Sequence, residues 1–103
     1  MQSFLDLHYP VDVDWVEVHD MRIAYADVGA GDVPIVLVHG LSGYLPMWKK
    51  NIGALAQRHR VIAVDLPGYG KSDKPRASYS MSFFAETLRG FLDAMGIPKA
   101  IFV

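Results

Sequence analysis

Apolar and polar residues alternate between residues 15 and 26, and the alternation breaks near His19 and Asp20. A period of two predicts strands that bury one face and expose the other. The break indicates that two such strands turn back on each other as an antiparallel pair. The residues on one face of this pair are Val16, Val18, Met21, Ile23 and Tyr25.

Three later runs are apolar without alternation, at residues 34–38, 61–64 and 100–103. Such runs are typical of strands that are buried on both faces, as in parallel sheets. Between these runs, apolar residues recur at the spacing of an α-helix. The first predicted helix carries Leu45, Trp48, Ile52 and Leu55 and ends near residues 58–60; the second begins after the capping residue Ser80, with Tyr79 and Phe84 as a staple, and stops at Gly96 and Pro98. Strand, helix, strand, helix, strand is the order of an α/β fold.

Composition narrows the classes of protein that fit. A chain of 103 residues with 51% apolar and 20% charged residues suits one globular domain. The net charge of -1 gives no electrostatic reason to expect nucleic acid or an anionic membrane as partner. No cysteine is present, so neither a disulfide framework nor a thiolate nucleophile exists. Because no secretion signal is visible and the apolar runs fall far short of the roughly 20 residues of a membrane span, we expect a cytoplasmic protein without membrane insertion.

The first candidate for chemistry is the loop 39–43, directly after the first buried strand. Its glycines let backbone approach a ligand, so that an N–H such as that of Leu41 can meet a negatively charged oxygen. A tight turn without chemistry is the alternative, and both interpretations stay open. His39 is a base, a ligand or, as is more common at the end of a buried strand, a structural residue. His8, His19 and His59 lack ligand spacing, so we expect no metal site.

The second candidate is the loop 65–73, which contains Gly70-Lys71-Ser72 and so imitates the end of a phosphate-binding loop. That motif requires glycine five positions before Gly70, where this chain has Asp65. The dinucleotide-binding pattern fails as well, because Asp73 stands where it requires a third glycine. We therefore favour a turn in which Asp65 and Ser72 bond to local backbone.

Taken together, "PIVLVHGLSG", "RVIAVDLPGYGKSDKP" and "GIPKAIFV" closely resemble the N-terminal part of the α/β-hydrolase family. The resemblance covers about residues 14–103. It implies an α/β fold in which an antiparallel strand pair is followed by parallel strands with crossover helices. Residues 1–103 would then be the N-terminal portion of a single α/β-hydrolase domain.

The family's site residues transfer position by position. The resemblance implies that Leu41 donates its backbone N–H to the oxyanion hole, while the second donor follows the nucleophile. Nucleophile, acid and histidine come later in the family's order, so no triad residue is expected among Ser42, Asp65, Ser72, Asp73 and His39. No cofactor is implied. The residues expected to line or flank the substrate pocket are His39, Gly40, Ser42, Gly43, Tyr44 and Trp48.

The resemblance implies a serine-type hydrolase that acts on small apolar carboxylic esters or acyl compounds. Alternatives are an aspartate nucleophile that cleaves epoxides or haloalkanes, a hydrolase of carbon–carbon bonds, and a non-catalytic ligand-binding or interaction fragment. In the family, the strand at residues 100–103 leads directly into the nucleophile elbow. We therefore expect the remainder of the hydrolase domain, in the same or a second chain, as partner, and we expect the 103 residues alone to be inactive.

Overall fold

The computed structural model describes residues 11–40 and 45–103 of the chain. They form one five-stranded sheet with two α-helices, of which the first follows a 3-10 turn at Leu45–Trp48. The elements are β1 (Asp14–Val18), β2 (Met21–Val28), β3 (Ile35–Val38), α1 (Lys49–Ala56), β4 (Val61–Val64), α2 (Met81–Met95) and β5 (Ile101–Phe102). The predicted strand pair, the three apolar runs and both helices are thereby confirmed.

The strand order is β1-β2-β4-β3-β5, and it combines both kinds of pairing. β1 and β4 each pair with β2 in the antiparallel sense, whereas β4 and β5 flank β3 in parallel. The antiparallel pair followed by parallel strands with crossover helices matches the expected fold class. Because the parallel strands end at one edge of the sheet, the loops that follow β3 and β4 lie side by side there.

The turn between β1 and β2 consists of His19 and Asp20, where the alternation breaks. Both residues have positive φ, 49° for His19 and 64° for Asp20. Positive φ at both central positions is what a two-residue type I′ hairpin turn requires. The turn therefore forms without the Asn-Gly or Asp-Gly pair that most often supplies this conformation.

Both faces of the sheet are covered, each by one helix. On the α2 side the buried core includes Val36, Ile62 and Phe91, whereas on the α1 side it includes Leu37 and Ile52. Neighbouring residues of β3 and β4 thus face opposite cores, which explains why these strands carry no polar residues.

Two details differ from the sequence-based expectation. Ala24 and Ala26 lie on the face opposite Ile23 and Tyr25, which the alternation predicts to be exposed, yet both are buried in β2, an inner strand between β1 and β4. The α-helical part of the first helix ends at Ala56, two residues before the predicted end near residues 58–60, and its first turn is 3-10. At the other end of the strand order, β3 is the one neighbour of β5 among the described residues, and β5 is exposed.

Helix α2 begins and ends as its sequence predicts. The Ser80 hydroxyl accepts a hydrogen bond from the Phe83 N–H at 3.1 Å, and the Tyr79 and Phe84 rings lie 6.1 Å apart as a staple. At the C-terminus Gly96 adopts a left-handed conformation, and the Ile97 N–H donates to the Leu92 carbonyl. This is the bond pattern of a Schellman cap.

Replacing Ser80 by alanine is expected to lower the free energy of unfolding by about 1 kcal/mol, because the Phe83 N–H loses its capping acceptor. The urea midpoint measures the loss. Ser82→Ala is the matched control, since Ser82 lies exposed inside the same helix, where alanine is the better helix former. A Ser80→Ala midpoint equal to that of the control would refute the capping role.

Among the described residues, no helix is long and apolar enough to cross a bilayer. The same residues contain no group of three or more histidine, cysteine or acidic side chains that could hold a metal ion.

Candidate active site

Two loops meet where the parallel strands β3 and β4 end. Val38 and Val64, the last residues of these strands, are paired in register. His39 and Gly40 continue from β3, while Asp65 and Leu66 continue from β4. The loop 39–43 and the loop 65–73 therefore begin at neighbouring positions of the sheet.

His39 joins the two loops through both ring nitrogens. Its Nε2 lies 3.0 Å from the Leu66 backbone nitrogen, and its Nδ1 lies 2.8 Å from the Gly40 carbonyl oxygen. The Leu66 N–H can only donate and the carbonyl can only accept, so the proton of the neutral ring is on Nδ1. The side chain is 3% exposed, and the Tyr69 ring packs edge-on against it at 5.2 Å. The structural interpretation of His39 is the one that this geometry supports.

Asp65 is fully buried, and each of its carboxylate oxygens accepts a backbone hydrogen bond. Oδ1 accepts from the Leu45 N–H at 2.5 Å, and Oδ2 accepts from the Lys71 N–H at 2.9 Å. The first bond ties the turn after residues 41–44 to the end of β4, while the second closes the loop 65–73. The bond to Lys71 is the local backbone bond that the sequence predicts, whereas the bond to Leu45, twenty residues away, is a further contact that it does not predict.

Ser72 and Asp73 attach the second loop to β2 beyond the point where β4 ends. The Ser72 hydroxyl accepts from the Ala24 N–H at 2.8 Å and donates to the Asp65 carbonyl at 2.6 Å. Asp73 exchanges two hydrogen bonds with the backbone of Arg22. The loop 65–73 thus continues the pairing with β2 beyond the end of β4. It forms the turn that the sequence favours over a phosphate-binding loop.

Lys74 supplies a positive charge beside the buried carboxylate. Its Nζ donates to the carbonyls of Gly70 at 2.7 Å and Ser72 at 3.1 Å. Burial lowers the pKa of Lys74, and the nearby negative charge of Asp65 offsets part of that effect. Lys74 thus fastens the loop 65–73 through two of its backbone carbonyls and lies close to the Asp65 carboxylate.

The end of β5 lies beside the first loop. The Val38 N–H donates to the Val103 carbonyl at 2.9 Å, one residue before His39. Gly40 itself is exposed, and no atom of the described residues lies within 4 Å of where its Cβ would stand.

The structure places three of the seven predicted site residues. His39 and Gly40 lie at the edge described above, and Trp48 lies partly buried against the core on the α1 side. The position of Trp48 in the core favours a role in packing, and its contribution to a substrate pocket stays a prediction. Leu41, Ser42, Gly43 and Tyr44 lie outside the described residues.

Sequence reasoning missed the contribution of Tyr69. Its ring lies against His39 on one side and 6.4 Å from the Phe84 ring on the other, so it links the site to helix α2. The only signal in the sequence is its place between the two glycines of the loop 65–73.

Comparison with known proteins identifies the family of this fold. The family model of the alpha/beta hydrolase fold matches residues 33–103. An uncharacterized protein of Mycobacterium tuberculosis is 38% identical over 91% of this chain and 27% of its own length. The haloalkane dehalogenase of Psychrobacter cryohalolentis is 38% identical over 89% of this chain and 31% of its own length.

Solved structures agree with the family match. A bacterial membrane phospholipase A superimposes with a TM-score of 0.85 at 32% identity and covers 89% of this chain and 30% of its own. A meta-cleavage product hydrolase of Pseudomonas fluorescens superimposes with a TM-score of 0.80 at 32% identity over 86% of this chain and 34% of its own. The chain spans about a third or less of the length of these four proteins.

Proposed function

Because the chain belongs to the α/β-hydrolase fold family, we propose that it is part of a serine-type hydrolase of carboxylic esters and contributes half of the oxyanion hole. The observation that carries this proposal is the place of Gly40 beside the end of β5. A nucleophile elbow that follows residue 103 would emerge next to Val38, since the Val103 carbonyl is bonded to that residue. An acyl carbon bound to the nucleophile would then lie within reach of the loop 39–43.

The serine, histidine and aspartate side chains that the structure describes at this end of the strands form no catalytic triad, in agreement with a nucleophile that follows β5. Ser72 is buried and bonded to backbone through its hydroxyl. Both nitrogens of His39 and both carboxylate oxygens of Asp65 are likewise bonded to backbone groups. These side chains hold the two loops in place. To exchange a proton with a substrate, each would first have to break its hydrogen bonds to the backbone.

In the proposed reaction a serine activated by histidine attacks the acyl carbon and gives its proton to the histidine. The carbonyl oxygen becomes an oxyanion, which accepts hydrogen bonds from the Leu41 N–H and from an N–H after the nucleophile. The alcohol leaves with the proton from the histidine, and water then releases the acid in the same way. Donors held in place before the reaction stabilise the oxyanion because they need no reorganisation.

The proposed partner is the rest of the hydrolase domain, in the same or a second chain. Ile101, Phe102 and Val103 are about half exposed or more. A groove of about 330 Å³ lies beside them, between Phe102 and the apolar residues Leu88 and Leu92 of α2. Exposed apolar strand edges of this kind are normally covered by further chain.

Apolar esters are the proposed substrates, because the sequence at and after the loop 39–43 is rich in apolar residues (Leu41, Tyr44, Leu45 and Trp48) and because the chain resembles the phospholipase A. The likeness to the dehalogenase and to the meta-cleavage product hydrolase supports a second candidate function. In it, a protein of the same fold uses a different nucleophile or cleaves a different bond. The substrate panel therefore contains p-nitrophenyl esters of short and medium acids, 1-bromobutane and styrene oxide. The proposal predicts ester hydrolysis by the full natural protein. Halide release or epoxide opening without ester hydrolysis would support the second candidate.

The matched variants Leu41→Pro and Leu41→Ala test the oxyanion donor. Proline has no backbone N–H, whereas alanine keeps it and removes the side chain. We expect kcat for ester hydrolysis to fall on the order of 100- to 1000-fold in Leu41→Pro, the usual cost of removing one such donor. Leu41→Ala is expected to retain most of the activity. Equal kcat values for the two variants would contradict the assigned role.

A further inference from the structure

We propose that the cleft between the β1–β2 turn, residues 75–77 and helix α2 binds a small zwitterion with an apolar side chain, of which a free apolar α-amino acid is the simplest. The cleft has a volume of about 440 Å³. This volume lies in the range of roughly 300 to 1,000 Å³ that is usual for small-molecule sites. The inference does not rest on the proposed function, because it concerns binding alone.

All the side chains that line this cleft belong to the described residues. They come from the turn at His19, the start of β2, residues 75–77 and the first half of α2. β1 is one edge strand of the five-stranded sheet and β5 is the other. The cleft is therefore built without any residue beyond Val103, and the chain that follows β5 starts from the opposite edge of the sheet.

The walls of the cleft are held in place by contacts between its segments. A Cβ on Gly90 would lie 2.6 Å from His19 Nε2, so the turn packs directly on the backbone of α2. Asp73 exchanges two hydrogen bonds with the backbone of Arg22, which fixes the segment before residues 75–77 at the start of β2. A cleft that is ordered before binding loses little conformational entropy when a ligand enters.

The floor of the cleft is apolar and suits a hydrocarbon or aromatic side chain. Met21 is buried, and Pro75 and Phe83 are half-buried. The Phe83 ring lies edge-on to the Tyr79 ring at 5.5 Å, and the Tyr79 hydroxyl donates to the Pro75 carbonyl. An aromatic ring that enters the cleft would therefore meet a fixed apolar surface with an aromatic ring in it.

Two exposed side chains of opposite charge, Arg76 and Glu86, line the same cleft. Neither forms an ion pair with the other or with any further residue of the described ranges. Because they do not neutralise each other, the guanidinium can bind a carboxylate and the carboxylate can bind an ammonium group. The Thr87 hydroxyl donates to the Phe83 carbonyl at 2.8 Å, so its oxygen offers acceptor lone pairs to a ligand. Glu86 and Thr87 are thus two neighbouring acceptors suited to an ammonium group.

A zwitterion fits this charge pattern better than a ligand with a single charge. A carboxylate alone would gain the attraction of Arg76 but meet the repulsion of Glu86, and an amine alone would meet the reverse. A neutral apolar compound would contact only the floor. The two charges and the floor together match a carboxylate, an ammonium group and an apolar side chain on one small molecule.

The first test is an NMR titration of the isotope-labelled full natural protein with L-phenylalanine, phenylpropionate and phenethylamine, which share a ring and differ in charge. We expect a dissociation constant on the order of 1 mM for phenylalanine, as for a modest ligand of this size. The other two should bind roughly 3- to 10-fold more weakly, because each loses one exposed charged contact and keeps one repulsion. The amide signals of Glu86 and Thr87 should shift. Equal affinity for the three probes, or shifts confined to other parts of the protein, would overturn the proposal.

The variants Arg76→Gln and Glu86→Gln assign the two charges. Arg76→Gln should weaken binding of phenylalanine and phenylpropionate roughly 3- to 10-fold without weakening that of phenethylamine. Glu86→Gln should weaken binding of phenylalanine and phenethylamine as much, without weakening that of phenylpropionate. Arg58→Gln is the matched control, because Arg58 is also exposed but follows α1, and it should change none of the three affinities. Variants at Arg76 and Glu86 that weaken all three probes alike, or none of them, would contradict the proposed site.

Discussion

Replacing Asp65 by alanine is expected to lower the free energy of unfolding by roughly 2 to 6 kcal/mol, because one buried and one partly buried N–H donor lose their acceptor at about 1 to 3 kcal/mol each. The donors are those of Leu45 and Lys71, and the carboxylate between them is fully buried. Urea denaturation followed by tryptophan fluorescence measures the change.

Asp73→Ala is the control for Asp65→Ala. Asp73 lies in the same loop and accepts one backbone N–H, that of Arg22, but its side chain is partly exposed, so water can take its place. We expect a loss of about 1 kcal/mol or less. If the two variants had equal urea midpoints, Asp65 would not be the residue that holds the two loops together.

Replacing Gly29 by alanine is the other change with a large expected effect. Gly29 has a φ of +82°, and a Cβ there would lie 2.2 Å from the His59 carbonyl oxygen and 2.8 Å from that of Ala56. Strain at a positive φ costs about 1 to 3 kcal/mol, and forced movement of the contacting backbone costs about as much again. We expect a total loss of roughly 2 to 6 kcal/mol in the free energy of unfolding.

Gly53→Ala provides the opposite expectation from the same substitution. Gly53 lies exposed in α1, and a Cβ there meets no described atom within 4 Å. Alanine is the better helix former, so this variant should gain about 0.5 to 1 kcal/mol. A Gly29→Ala protein as stable as the wild type would show that β2 does not approach the end of α1 as closely as described.

The regular elements were largely predictable because local patterns determine them. The unbroken apolar runs identified β3 and β4 as strands covered on both faces, and Ser80 and Gly96 identified the ends of α2. Burial of Ala24 was not predictable, since it depends on which strand becomes the neighbour of β2. The neighbour of β2 is determined by tertiary pairing with β4, and the alternation of residues within β2 does not predict that pairing.

The candidate site was predictable to a lesser degree. The two loops were recognised from their glycines and polar residues, and the turn formed by Asp65 and Ser72 was expected. The reach of Asp65 to Leu45 and the contact of Tyr69 with His39 were not, because both join residues that are far apart along the chain. Such contacts follow from the parallel register of β3 and β4, which places the two loops at one edge.

The most direct test of the central claim is a crystal structure of the full natural protein after reaction with a p-nitrophenyl alkylphosphonate. The phosphonyl oxygen of the adduct imitates the oxyanion of ester hydrolysis. The account predicts an adduct on a serine outside residues 1–103, with the phosphonyl oxygen about 2.7 to 3.1 Å from the Leu41 backbone nitrogen. A protein that forms no adduct, or an adduct whose oxygen points away from the loop 39–43, would contradict it.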